Sequence, residues 1–99
     1  MPMTVVITVN ASGRVRGFLA SCMLQVAPGV YTSPRMSSGV RERVEAVLRS
    51  WFPSECGGAS ILMLWADSTL PEGQGLVTLG TPPYQLVAYD GLVLSTLRG

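Results

Sequence analysis

The sequence has neither histidine nor lysine among its 99 residues. Without imidazole there is no Ser-His-Asp or Cys-His machinery, no His-ligated zinc and no imidazole base. Without lysine there is no Schiff base and no P-loop lysine. Charge is scarce overall: 13% of residues are charged and 47% are hydrophobic. That is about half the charge of a usual soluble domain. A surface so poor in charge points to cover by an oligomer or complex. Six carboxylates are all that acid–base or metal chemistry could use. The two cysteines, Cys22 and Cys56, belong to no CxxC pair; they read as free thiols, with Cys22 in the core. No apolar run approaches the ~18 residues of a membrane span. No positive stretch precedes "MPMTVVITV", so the expected location is the cytoplasm, with no membrane role. The length suits one domain, residues 1–99, with a modest core.

What is there is arginine. Residues 14–49 hold six arginines against Glu42 and Glu45, a net of +4. The rest holds Arg98 against Glu55, Asp67, Glu72 and Asp90, a net of −3. Arginine without lysine favours forked contacts to phosphate or carboxylate, although ordinary helix-surface charge would look the same.

Thr4–Val9 is almost continuously apolar and β-branched, which predicts a central strand buried on both faces. "NASG" turns the chain. Val15, Phe18, Leu19, Cys22 and Met23 then follow helical spacing, so one stripe faces a core. Pro28-Gly29 between short β-prone runs predicts a hairpin. A second helix carries Val40, Val44, Val47, Leu48 and Trp51, has an i,i+4 pair in Glu45 and Arg49, and stops at Pro53. "ILMLWA" reads as a second strand buried on both sides. "GLVTLG", "QLVAY" and "LVLSTL" add C-terminal strands, the last two joined at Asp90-Gly91. The order predicts an α/β (α+β) fold: a ferredoxin-like βαββαβ sandwich with extra C-terminal strands. Two helices cover one sheet face only. A second copy is the economical cover for the other, with C-terminal strands pairing on the partner's sheet edge.

The first strand tip, Thr8-Val9-Asn10, is a natural place for a metal-holding acid, and none is present. Asn10 could offer a neutral oxygen, or serve as a turn residue. Arg14 and Arg16 lie about 100° to either side of Val15 on the helix wheel. Arginines in a first turn oppose the helix dipole. A bound phosphate would reconcile them with it; a solvated face with a small dipole penalty would also account for them. Arg41, Arg43 and Arg49 read as a solvated face diluted by Glu42 and Glu45. "GRVRG" and "GQG" lack the spacing of phosphate-binding glycine motifs. Trp51 and Trp65 read as core, and neither apolar strand has the aromatic pattern of an RNA-reading sheet.

Taken in order, the pieces resemble a known family. The apolar first strand, "N-ASG-RVRG-F-LA" from Asn10 to Ala20, and "GVY" at Gly29–Tyr31 come first. Ser38 with Arg41-Glu42, "M-L-WA" at Met63–Ala66 and "DGL-L" at Asp90–Leu94 follow. Together they are similar to the CRISPR-associated protein Cas two, in its type I-E branch.

The resemblance implies a ferredoxin-like homodimer with swapped C-terminal strands, placed between two dimers of the CRISPR integrase subunit. That complex captures a short double-stranded protospacer and inserts it into the CRISPR array. The resemblance assigns backbone contacts to Arg14 and Arg16, beside Asn10. It assigns integrase docking to the C-terminal hairpin, residues 85–99, through Asp90, Gly91 and Leu92, with Glu72 as a second acidic contact. The chain departs from the family in two places. Val9 stands where many members carry an acid implicated in metal-dependent nuclease activity. Pro82-Pro83-Tyr84 stands where some relatives carry two arginines, leaving Tyr84 to meet a sugar or phosphate. The expectation is therefore a non-catalytic DNA-binding scaffold with no catalytic residue, metal site or cofactor of its own. The alternatives are a metal-dependent endonuclease using Mg²⁺ through Asp67 or Asp90, and a small-molecule-binding regulatory module of the same fold.

Overall fold

Thr4, Val6 and Thr8 alternate with Val5, Ile7 and Val9 along β1 (Thr4–Val9), so the strand shows two different faces. The computed structural model describes residues 3–80, 84–89 and 92–97, with side chains as far as Gly80. After β1 come α1 (Gly13–Cys22), β2 (Leu24–Ala27), β3 (Val30–Ser33) and α2 (Ser38–Trp51). A 3₁₀ turn at Phe52–Ser54, β4 (Ser60–Ala66), β5 (Gln74–Gly80), β6 (Tyr84–Tyr89) and β7 (Leu92–Leu97) complete the order. The first five strands form one antiparallel sheet in the order β2-β3-β1-β4-β5. The first four follow the ferredoxin-like order, and β5 extends the sheet beyond β4. β6 and β7 pair as a hairpin from Tyr84↔Leu97 to Tyr89↔Leu92. No helix is long and apolar enough to cross a membrane among the described residues.

Each helix starts on a serine. Ser12 Oγ accepts from the Val15 amide at 3.3 Å, and Ser37 Oγ from the Val40 amide at 3.2 Å. Val15, Leu19 and Met23 then face Val44 and Leu48 across a core shared with Val6, Tyr31, Ile61 and Met63. The predicted stripes hold with two exceptions. Cys22 is exposed, correcting its expected core position, because Met23 just after the helix takes the buried place. Val40, in the first turn of α2, is 38% exposed.

Within a single chain the central strands are buried on one face only, the other being the face for which cover by a second copy is expected. Val6 pairs with Tyr31 and Met63 under the helices, and all three are at most 1% exposed. On the far face the row Leu24–Thr32–Val5–Leu64–Leu76 crosses the whole sheet. There Val5, Ile7, Leu62 and Leu64 are half-buried, while Val9, Leu24 and Leu76 are exposed. The physical reason is the layer count: two helices reach one side of a sheet and leave the other without cover.

Glycines carry close approaches at Gly29, Gly75 and Gly80, and the first two bear on the site and the core. Gly29, at φ +72°, turns the β2–β3 hairpin so that its carbonyl accepts from both the amide (2.7 Å) and hydroxyl (3.1 Å) of Thr8. Gly75 pairs with Trp65, whose indole lies where a Cβ would go. Gly75→Val should therefore lower stability by about 1–3 kcal/mol, as overpacking usually does. A urea melt checks this; an unchanged midpoint would mean that Trp65 moves aside freely.

Candidate nucleic-acid interface

β1 ends against β4, with Val9 opposite Ser60. That pairing brings the segment before β4 onto the turn after β1. Asn10 bends the chain in the left-handed region at φ 54°, which asparagine tolerates better than most residues. Its Nδ2 donates to the Gly58 carbonyl at 3.3 Å, and the Cys56 thiol donates to its carbonyl at 3.5 Å. The Ser12 amide donates to Glu55 Oε1 at 2.7 Å. A carboxylate thus sits at the start of α1, where the dipole favours negative charge, and partly offsets the two arginines there. Glu55 gives no signal in sequence, since it lies 43 residues away.

At this tip the Val9 side chain offers no ligand atom, and Asn10 turns its side-chain Nδ2 and its backbone carbonyl to the neighbouring loop. Among the described residues, no three His, Cys, Asp or Glu side chains gather into a possible metal site.

Arg14 and Arg16 are both exposed and leave α1 on different sides. Arg14 packs across to α2, with its guanidinium carbon 3.9 Å from the centre of the Trp51 ring. Arg16 lines a shallow hollow with Thr8, Asn10, Ala11, Pro28 and Gly29, between the strand tip and the β2–β3 turn. The two guanidiniums therefore do not converge on the helix start, where Glu55 takes the Ser12 amide; they flank it. Asn10 stands beside Arg16.

The tryptophans are half-buried rather than core, a correction with a clear cause. Each has one side against the core and an arginine on its ring. Arg41 lies 4.2 Å from the Trp65 ring centre, and its Nε is buried without an acceptor among the described residues. The Trp65 indole donates to Asp67 Oδ2 at 3.3 Å. Asp67 Oδ1 accepts from the Thr69 hydroxyl at 2.6 Å and amide at 3.0 Å. These Thr69 bonds, helped by Trp65 and the Arg41 charge, hold the Asp67 carboxyl below its ordinary value. Cys22 is exposed as a residue, but partial desolvation of its sulfur against α1 pushes the thiol up. On the exposed side of α2, Arg49 pairs with Glu45 at 2.7 Å, as the i,i+4 spacing predicts.

The remaining candidates lie elsewhere. Glu72 is half-buried at one end of the open sheet face, beside Met3, Leu64 and Gln74. Tyr84 begins β6 and Leu92 begins β7; their side chains, with Asp90 and Gly91, lie outside the described residues.

The chain is thus a ferredoxin-like α/β protein with an arginine-flanked helix start and no acidic residue within the strand tip Thr8-Val9-Asn10 itself. The family model for CRISPR-associated protein (Cas_Cas2CT1978) matches residues 3–94, and the chain belongs to that family. Its role is accordingly CRISPR-related. No curated protein matches the chain.

Two outcomes follow from the geometry. Glu55→Gln keeps a hydrogen-bond acceptor but removes the charge, and should cost about 0.3–1 kcal/mol. Glu55→Ala also leaves the Ser12 amide unpaired and should cost roughly 1 kcal/mol more. Urea midpoints should fall in the order parent, Gln, Ala, and equal midpoints would remove Glu55 from the account. For Asp67, the lowered carboxyl stabilises the fold above its ordinary value of 3.8. That contribution is lost as pH falls through the lower folded value. The stability gap between parent and Asp67→Asn should therefore shrink on acidification, and a gap independent of pH would contradict the assignment.

Proposed function

We propose that the protein is a non-catalytic scaffold in CRISPR spacer acquisition, gripping the backbone of a protospacer duplex while a partner integrase does the chemistry. The observation that carries this reading is the arginine pair flanking the α1 start beside a strand tip with no metal-holding acid. Phosphate contacts need charge and forked donors, which Arg14 and Arg16 supply. The uncovered apolar sheet face supports a homodimer, since a second copy offers the same apolar rows. In this reading the C-terminal strands swap between protomers. The hairpin tip at Asp90, Gly91 and Leu92, with Glu72, docks on the type I-E integrase, two integrase dimers per complex. Tyr84 meets the DNA backbone, and the assembly works in the cytoplasm without a cofactor.

The rival within the family is a metal-dependent endonuclease acting on RNA or DNA. Its described carboxylate candidate, Asp67, is held by Thr69 and Trp65, which weighs against it. Duplex binding across a salt series separates the readings. Two arginine pairs per dimer supply about four phosphate contacts, each worth a slope of about 0.9. Arg14→Ala/Arg16→Ala should weaken binding and flatten that slope. Unchanged affinity and slope, or Mg²⁺-dependent cleavage abolished by a carboxylate substitution, would overturn the proposal.

A further inference from the structure

Both tryptophans carry an arginine, but the two stacks differ in charge balance. Arg41 on Trp65 has Asp67 beside it, bonded to the same indole. That stack is internally compensated and ties α2 to the end of β4. No carboxylate is bonded to the Trp51 indole among the described residues, and the acid at the start of α1, Glu55, is engaged by the Ser12 amide; neither Arg14 nor Arg41 forms an ion pair within 4.0 Å there. Arg14 is exposed, so its guanidinium is open to a group outside the chain.

Trp51 is itself held in place. It closes α2, and Phe18 meets it edge-on, with ring centres 5.3 Å apart and planes at 70°. Phe18 follows Arg14 by one helical step of four, so both stand on the same stripe of α1 against this indole. The core backs the pair. A guanidinium over an aromatic ring is attracted through its face, while the N–H groups on its edge stay available to a phosphate. Arg16 is exposed on the far side of Val15, over a hollow lined by small and polar residues with no aromatic ring.

We infer that Trp51 is a positioning residue for the DNA grip, holding Arg14 over its ring so that the guanidinium is ordered before a phosphate arrives. The inference rests on the DNA-backbone reading above. Pre-ordering lowers the side-chain entropy lost on contact, so it acts on affinity without adding a contact.

Anisotropy with a labelled duplex oligonucleotide at low salt tests it, using Arg14→Ala, Trp51→Leu, Trp51→Phe and the Arg14→Ala/Trp51→Leu double variant. Trp51→Leu should weaken binding on the order of tenfold per dimer, and Trp51→Phe less. Trp51→Leu should add nothing once Arg14 is alanine. An equal loss in the Arg14→Ala background shows a merely structural role and overturns the inference; so does unchanged or tighter binding in Trp51→Leu. If Trp51→Leu does not fold, Trp51→Phe replaces it in the same cycle. Failure of the DNA reading looks different: the parent fails to bind, or Arg14→Ala binds as the parent does.

Discussion

The antiparallel pairing of β1 with β4, from Thr4↔Trp65 to Val9↔Ser60, organises the rest of the molecule. It joins two apolar strands at the centre of the sheet and sets which of their residues face the helices. Val6 and Met63 go under the helices, while Val5 and Leu64 go to the open side. A slip of one residue would exchange the two sets and empty the core. The same register delivers Glu55, Cys56 and Gly58 to the turn after β1. The strand tip and the start of α1 are thus built from two segments far apart in sequence. Their polar groups satisfy one another.

Electrostatics follows from that frame. The chain is poor in charge and its cationic side chains are all arginine. Guanidinium suits such a surface, because it is weakly hydrated and can lie on an aromatic ring. The fold uses this twice, on Trp51 and on Trp65. Asp67 is bonded to the indole of one stack, while the arginine of the other is exposed. The far sheet face has the opposite character. Its apolar rows have no cover within the described residues, in keeping with the low charge content. Exposed arginine thus flanks the start of α1, and exposed apolar surface lies on the sheet face away from the helices.

Much of the fold is legible in the sequence because its signals are local. Strand runs, helical stripes and the Glu45–Arg49 pair depend on residues within a few positions of one another. The exposed side of Arg14 and Arg16 is legible from the position of Val15 between them. Cys22 is not, because it and Met23 both fall near the stripe, and only packing decides which enters the core. The tryptophans are not either, because hydrophobicity does not tell a ring buried on all sides from one bearing an arginine.

By itself, then, the sequence determined the element order, the ferredoxin-like class and family membership, and it excluded imidazole and lysine chemistry. These depend on residue type and short-range spacing. Tertiary structure alone decided that Glu55 occupies the start of α1, that Arg14 and Arg16 flank it on separate supports, and that each tryptophan carries an arginine on its ring. Each depends on contacts across the sheet or between helices, which arise only when β1 and β4 pair and the two helices settle on one side.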